Sequence, residues 1–565
     1  MSRTIAEPHA IALNAFGDAV SGAVRALYPD AAPVPVSFEA PRRPEFGDFA
    51  TNVSFALAKA ARRSPQDVAR ALVENARPRL GDDGVFASID AVAGFINLRF
   101  TPELWQRELV RLANAARTGT TEPSDGSARR GAGKRISLEF GSANPTGPLV
   151  VVQGRTLSIG AALANAMRFC GYDVFTEWII NAAGAQIERL GRSIYARYRQ
   201  IDDPAFQFPD DGYPGDYLLP IARTIYDRDG DRWVRAPESD WLPFFETAGR
   251  DEIVAGQQRT AQRFGVRYDL WQSEKAFHDS GKILAGIERL RELGLTYVRD
   301  GALFFRTTDF GDDKDRVVLR SDGRPTYYAL DVTYHYEKLA RSDRAIDILG
   351  PDHHGYISRL KALAAALGFR DKLDVLISGQ IALMRGDEQV SMSKRAGNIE
   401  TLDDILDEVG NDAARFFFVM LSPESPLTFD LALAVAKNDE NPVYYVQYGH
   451  ARIASVLRNA NASDAAALAS ETSVAALVHP SELALIRRLV EFPRVVEGVA
   501  EHLAPHRLAR YARDVAADFH AFYTACKILT DDAGVRRARL TLCVATKHVL
   551  ADALGILGVG APDSM

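Results

Sequence analysis

From about Asp430 to the C-terminus nearly every window repeats apolar residues at helical spacing, with turn signals confined to the stretch near Asn459 to Asp464. That pattern predicts a helical bundle over residues 430–565. The other end reads differently. Residues 1 to about 115 mix helical patterns with short strand-like runs and end in Phe95, Ile96, Asn97, Leu98, Arg99 and Phe100, which predicts an α+β unit over 1–117. The segment TGTTEPSDGSARRGAGK, residues 118–134, is poor in large apolar side chains and reads as a linker.

The middle of the chain carries the pattern of a parallel sheet. Ile136 to Phe140 is a short strand, a Pro/Gly turn follows at Asn144 to Pro148, and a helical pattern runs from about Gly154 to Phe169. Strand, turn and helix in this order open a βαβ nucleotide fold. Strand-like runs at Ala345 to Leu349 and Val375 to Ile377, separated by a helical pattern from about Ile357 to Leu367, supply its second half. A polar, aromatic stretch containing PDDGYPGDYLLP interrupts it, so an α/β unit over 135–429 is expected to hold an insertion at about 200–300. No internal repeat is visible.

Composition narrows the class. At 565 residues the chain exceeds one hydrophobic core and divides into roughly three or four units. It is 47% hydrophobic and 25% charged, with no uninterrupted apolar run near membrane-spanning length and no secretory pattern at its start, so a cytoplasmic protein away from membranes, and a monomer, is expected. Cys170, Cys526 and Cys543 are far apart and lack metal-ligand spacing, which predicts neither a disulfide framework nor a zinc site. The net charge of −7 does not announce a nucleic-acid binder, although local basic and aromatic surfaces still hold folded RNA.

The motifs carry more. Glu139-Phe-Gly-Ser-Ala-Asn-Pro-Thr-Gly-Pro-Leu149 resembles the strand and turn that lead into the active site of bacterial arginyl-tRNA synthetases, a class I family. Gly350-Pro-Asp-His-His-Gly-Tyr356 is similar to that family's Gly-Ala-Asp-His-His-Gly-Tyr. Ser391-Met-Ser-Lys-Arg395 resembles its mobile Lys-Met-Ser-Lys loop, and Asn441-Pro-Val-Tyr-Tyr-Val-Gln-Tyr448 the helix that opens its anticodon-binding domain. Glu45 to Asn52 and Gly94 to Asn97 look like its extra N-terminal domain, and Leu557 to Pro562 like its C-terminus. The resemblance spans essentially the whole chain in the expected order. It implies an α/β protein with a Rossmann-like class I synthetase core and inserted domain, flanked by an N-terminal α+β domain and a C-terminal all-α bundle. The partners implied are L-arginine and tRNA(Arg) or Arg-tRNA, with ATP and Mg2+ used by the family and no permanently bound cofactor.

A pocket for arginine must satisfy a planar cation with five donors, a task for carboxylates. The resemblance places Glu139 and Asp331 against the guanidinium, Tyr327 along it, and Asn144 at the α-amino and carboxylate end. Taken singly, Glu139 also reads as an edge-strand acid, and Tyr327 and Asp331 as surface residues of a helix start. His353, His354, Met392 and Lys394 are carried over as nucleotide-lining, and Lys394 with Gln153 as the catalytic positions. Lys394 and Arg395 also fit a solvated basic surface. Two adjacent histidines without a third ligand do not make a metal site. Tyr444, Tyr448 and Arg452 share one helical face suited to stacking on anticodon bases, or equally to a buried stripe between helices.

One motif departs from the family. Joining ATP to a carboxylate needs donors aimed at developing negative charge. The family supplies a His-x-Gly-His tetrapeptide where this chain has Val150, Val151, Val152 and Gln153. Valine donates no hydrogen bond, glutamine is a neutral replacement, and Val152 fills space that glycine leaves open. A hydrogen bond to a charged group is worth about 1.5 to 3 kcal/mol, so with one such donor lost and another weakened, adenylation is expected to slow by roughly two to four orders of magnitude. Ala182 and Ser391 also stand where the family has an acid and a lysine. The sequence therefore predicts a paralogue that keeps the arginine pocket, has lost the ATP motif, and uses arginine or the arginyl group of a charged tRNA otherwise. The alternatives are a ligase with reduced or compensated adenylation and a non-catalytic arginine or tRNA sensor.

Overall fold

The computed structural model describes residues 8–39, 41, 43–80, 84–118, 130–180, 184–386, 388–390, 400–460 and 474–565. The N-terminal unit contains, in order, α1 (Pro8–Leu27), β1 (Phe49–Thr51), α2 (Val53–Ala61), α3 (Pro65–Ala76), β2 (Phe86–Val92), β3 (Phe95–Phe100) and α4 (Pro102–Thr118), with an antiparallel sheet of order β1-β3-β2. In β3 Ile96, Leu98 and Phe100 form the buried face and Phe95 is exposed, although Asn97 on the other face is buried as well. Ala93 and Gly94, both at positive φ, close the tight β2–β3 hairpin.

The central unit starts at β4 (Arg135–Phe140) and continues through α5 (Val151–Phe169), β5 (Asp173–Ile180), α6 (Ala185–Arg199), α7 (Leu218–Asp229), α8 (Glu238–Arg263) and β6 (Leu270–Ser273). Next come α9 (Glu274–Asp279), α10 (Lys282–Glu292), β7 (Thr296–Arg299), β8 (Ala302–Phe305), β9 (Arg316–Leu319), α11 (Tyr327–Arg341), β10 (Arg344–Leu349), α12 (Tyr356–Ala366) and β11 (Leu373–Ile377). A five-stranded sheet of order β11-β10-β4-β5-β6 is parallel throughout. The chain leaves β4 toward β5 on one side and later returns to β10 on the other, so the β4–β10 junction is the topological switch point where such sheets bind ligands. The insertion forms two small cores, one among α6, α7 and α8, the other among α10, α11 and the sheet β7-β8-β9.

Beyond the sheet, β12 (Ile381–Arg385), β13 (Glu388–Val390), α13 (Leu402–Val419) and β14 (Leu427–Asp430) lead into helices α14 (Leu431–Val435), α15 (Pro442–Arg458), α16 (Pro480–Val490), α17 (Phe492–His502), α18 (His506–Ala525) and α19 (Ala533–Leu557). By length and composition α19 is apolar enough to cross a membrane, yet most of it is buried inside the protein. Arg536, Arg537, Arg539 and Lys547 break its sequence into shorter apolar runs.

Helix α5 begins at Val151, about three residues earlier than its periodicity predicts. Three successive β-branched residues favour extended backbone by propensity, which hides a helix start. Tertiary context overrides them: Val150 is an extended N-cap bridged to Thr401, its N–H donates to Gln153 Oε1 at 3.2 Å, and Val151 is fully buried. Close approach of helix to sheet needs Gly160, where a Cβ would lie 2.1 Å from the Phe140 ring. Gly141 has φ +79 and a similarly closed surround, so β4 turns sharply there into the site.

Candidate functional site

A cavity of about 760 Å³ opens at the C-terminal ends of β4 and β10. Its wall includes Glu139, Asn144, Tyr327 and Asp331 together with Val152, Gln153 and His353, so residues far apart in the sequence meet in one place. The turn after β4 is held from the insertion: Gln257 Nε2 donates to the Asn144 and Gly147 carbonyls at 3.1 and 2.9 Å, and Tyr217 Oη to the Thr146 carbonyl at 2.7 Å.

The floor is a row of acids. Sheet register sets Glu177, Glu139 and Asp347 directly opposite one another on β5, β4 and β10, with all three side chains buried. Neighbouring strands are only about 4.8 Å apart, so three adjacent carboxylates repel unless a cation lies between them. Lys338, fully buried on α11, is that cation: its Nζ donates to Glu139 Oε2 and Asp347 Oδ1 at 2.6 Å each and stands 4.0 Å from Glu177 Oε1. Arg341 pairs with Glu177, Tyr334 Oη donates to Glu139 Oε2 at 3.0 Å, and His335 Nε2 lies 2.9 Å from Asp347 Oδ2.

The electrostatics follow from this arrangement. Burial pushes the Glu139 carboxyl up, and Lys338 works against it. Burial also opposes charge on Asp347, but Lys338 and His335 outweigh it and hold the group well below the usual carboxylate range. At His335 the bond and charge of Asp347 overcome burial and raise the imidazole. Asp331 has no such contact partner among the described residues: burial pushes it up to about 6, and the charges of His335 and Arg359 only partly work against it. The cavity therefore holds one acid neutralised from below on a single oxygen and a second whose burial the charges of His335 and Arg359 offset only in part. A guanidinium would relieve both.

The remaining expected positions are distributed unevenly. Tyr327 is 60% exposed, with its hydroxyl over Gly184 at the rim. His353 lines the cavity and meets the Tyr356 ring at 5.4 Å, whereas His354 is exposed and does not line it. Of the four residues in the tetrapeptide, Val152 and Gln153 face the cavity, while Val151 points into the core. Ala182, Ser391, Met392 and Lys394 lie outside the described residues.

On α15, Tyr444 and Tyr448 stack with ring centroids 6.0 Å apart, and the Arg452 guanidinium lies 5.3 Å from Tyr448 and 4.5 Å from Tyr523. All three α15 residues are half-buried, and His520 and Tyr523 of α18 extend the face. Sequence reasoning missed those two, as well as Tyr334, His335 and Lys338. The latter were reachable, because 327, 331, 334, 335 and 338 follow the helical spacing of one face.

Comparison with known proteins gives the family. Residues 14–100 match the arginyl tRNA synthetase N terminal domain, 247–418 the tRNA synthetases class I (R) catalytic domain, and 446–565 the DALR anticodon binding domain. The arginine–tRNA ligase of Syntrophotalea carbinolica is 43% identical over 539 residues, covering 94% of this chain and 95% of that protein. That of Symbiobacterium thermophilum is 40% identical over 98% of both. Two solved arginyl-tRNA synthetases share the fold. The Thermus thermophilus enzyme has TM-score 0.75 and 23% identity over 98% of this chain and 100% of its own, and the Plasmodium falciparum enzyme has TM-score 0.77 and 15% identity over 100% of both. With three family domains in order and relatives this similar over nearly its full length, the chain belongs to the arginyl-tRNA synthetase family of class I aminoacyl-tRNA synthetases.

Proposed function

We propose that the cavity is an arginine site, with Glu139 and Asp331 accepting the guanidinium, Tyr327 along it and Asn144 at the amino-acid end, and that adenylate formation from ATP is impaired in this chain. Residues 1–117 and 430–565 are assigned to tRNA contact around the 135–429 core, the second through Tyr444, Tyr448 and Arg452. Arginine, or the arginyl group of a charged tRNA, is then free for another use.

One asymmetry within the cavity supports this reading. The wall formed by Glu139 and Asp331 has acceptor capacity matched to a cation. The wall formed by the start of α5 offers Val152, which has no donor, and Gln153, whose Oε1 is engaged by the Val150 N–H. A phosphate meeting that wall finds a neutral amide where an imidazolium would be worth about 1.5 to 3 kcal/mol more.

A second reading, ordinary ligation through compensating residues, is favoured by the cavity volume of about 760 Å³, which exceeds what an amino acid alone needs. ATP–pyrophosphate exchange with purified protein, arginine and tRNA(Arg) separates the two. Background exchange alongside measurable arginine binding supports impaired adenylation, and exchange at a rate ordinary for an aminoacyl-tRNA synthetase supports the second reading.

A further inference from the structure

We infer that Lys338 is a positioning residue for the arginine site: from beneath the floor it holds Glu139 by Oε2, screens it from its two acidic neighbours, and leaves Oε1 turned toward the ligand. The inference rests on the reading of the cavity as an arginine site and adds to it a residue that touches no ligand.

The geometry leaves Lys338 little other purpose. It is 0% exposed and lies outside the cavity wall, yet it is the cation shared by three carboxylates that the sheet register forces side by side. The groups facing it are Glu139 on β4, Glu177 on β5, Asp347 on β10, and Tyr334, His335 and Arg341 on its own helix. Asp331, two turns before Lys338, and Arg359 of α12 complete the surrounding charge. Glu139 Oε2 accepts from both Lys338 and Tyr334, while from the described residues its Oε1 has only a long 3.4 Å contact from the Ser142 hydroxyl. One oxygen is saturated and the other is available, and this fixes how a planar guanidinium can approach.

Without Lys338, burial and the two flanking carboxylates all favour the protonated form of Glu139, since an opposite charge in contact changes a carboxyl's proton affinity by roughly 10- to 1000-fold. A protonated Glu139 is a poor acceptor for a cation. Lys338→Met, which keeps volume and removes charge, is therefore expected to weaken arginine by about 10- to 100-fold near neutral pH. The loss should be progressively recovered as the pH is raised and Glu139 ionises. Tyr334→Phe removes one donor but keeps the lysine charge, so it should weaken arginine only a few-fold with an unchanged pH profile.

The test is arginine calorimetry from about pH 6 to about pH 9 on the full chain, for wild type, Lys338→Met and Tyr334→Phe. It is paired with infrared spectra of the arginine-free proteins, in which a protonated carboxyl has its own carbonyl band. The inference predicts a pH-dependent loss of affinity confined to Lys338→Met. It also predicts a neutral-carboxyl band in that variant that disappears in Lys338→Met/Glu139→Gln. Parallel affinity–pH curves for Lys338→Met and wild type, or a missing band, would overturn it. If Lys338→Met does not fold, Lys338→Met/Asp347→Asn restores the charge balance and takes its place. If wild type binds no arginine, the arginine-site reading falls, and the infrared arm still decides whether Lys338 controls Glu139.

Discussion

Restoring the donors at the start of α5 is the perturbation that bears most on the proposed loss of adenylation. Only Val152 and Gln153 of the tetrapeptide face the cavity, so the informative variant is Val152→Gly/Gln153→His. Losing the Gln153 side chain removes its bond from the Val150 N–H, costing about 0.5 to 2 kcal/mol of helix start, and glycine in the first turn costs up to about 1 kcal/mol more. Both are small for a helix whose first turn is anchored by buried Val151. The gain is one imidazole donor to a phosphate, about 1.5 to 3 kcal/mol, with room for the nucleotide at position 152 in addition. At about 1.4 kcal/mol per tenfold, the donor alone should raise ATP–pyrophosphate exchange by roughly 10- to 100-fold over wild type. Exchange with arginine and tRNA(Arg) is the assay, and the melting temperature checks folding. If wild type already exchanges as fast as the folded double variant, the reasoning from these two positions is wrong.

Other outcomes follow from the floor and the aromatic face. Asp331→Asn should weaken arginine by about 10- to 100-fold, measured by calorimetry, yet raise the melting temperature at pH 7. Its carboxyl, pushed up to about 6 from 3.8, is ionised at pH 7 against the cost of burial, so that destabilisation is complete above pH 6 and relieved as the pH falls through this window. For the same reason wild-type arginine affinity should drop by about tenfold per pH unit below about 6, because binding must then displace a proton. Tyr448→Ala should lower tRNA(Arg) affinity by about 1 to 3 kcal/mol in a filter-binding titration. A lower melting temperature with unchanged RNA affinity would instead assign the Tyr444–Tyr448–Arg452 stack to packing.

The parallel sheet and the C-terminal helices were readable because their hydrophobic periods are strong: Phe95–Phe100 is a strand over the predicted span, and β10, β11 and α12 differ from their patterns by one or two residues. The start of α5 was not, since three valines read as extended until the Thr401 bridge and the Gln153 cap are known. Glu139 and Asp331, which line the cavity, were singled out through motif resemblance, which names residues one by one and is silent about what supports them. Lys338 illustrates the limit. A lysine on an amphipathic helix reads as solvent-exposed, and only the sheet register, which brings Glu177, Glu139 and Asp347 into one row, makes burying it favourable. His354 is the reverse case, a motif residue that the fold leaves outside the cavity.

The central claim is that one cavity has kept arginine recognition and lost its hold on ATP. Separate calorimetric titrations of the purified chain with L-arginine and with ATP in the presence of Mg2+ test it most directly. The account predicts saturable arginine binding that is abolished in Asp331→Asn/Glu139→Gln, with ATP heats no larger than dilution. ATP binding of ordinary synthetase strength, or ATP binding without arginine binding, would contradict it.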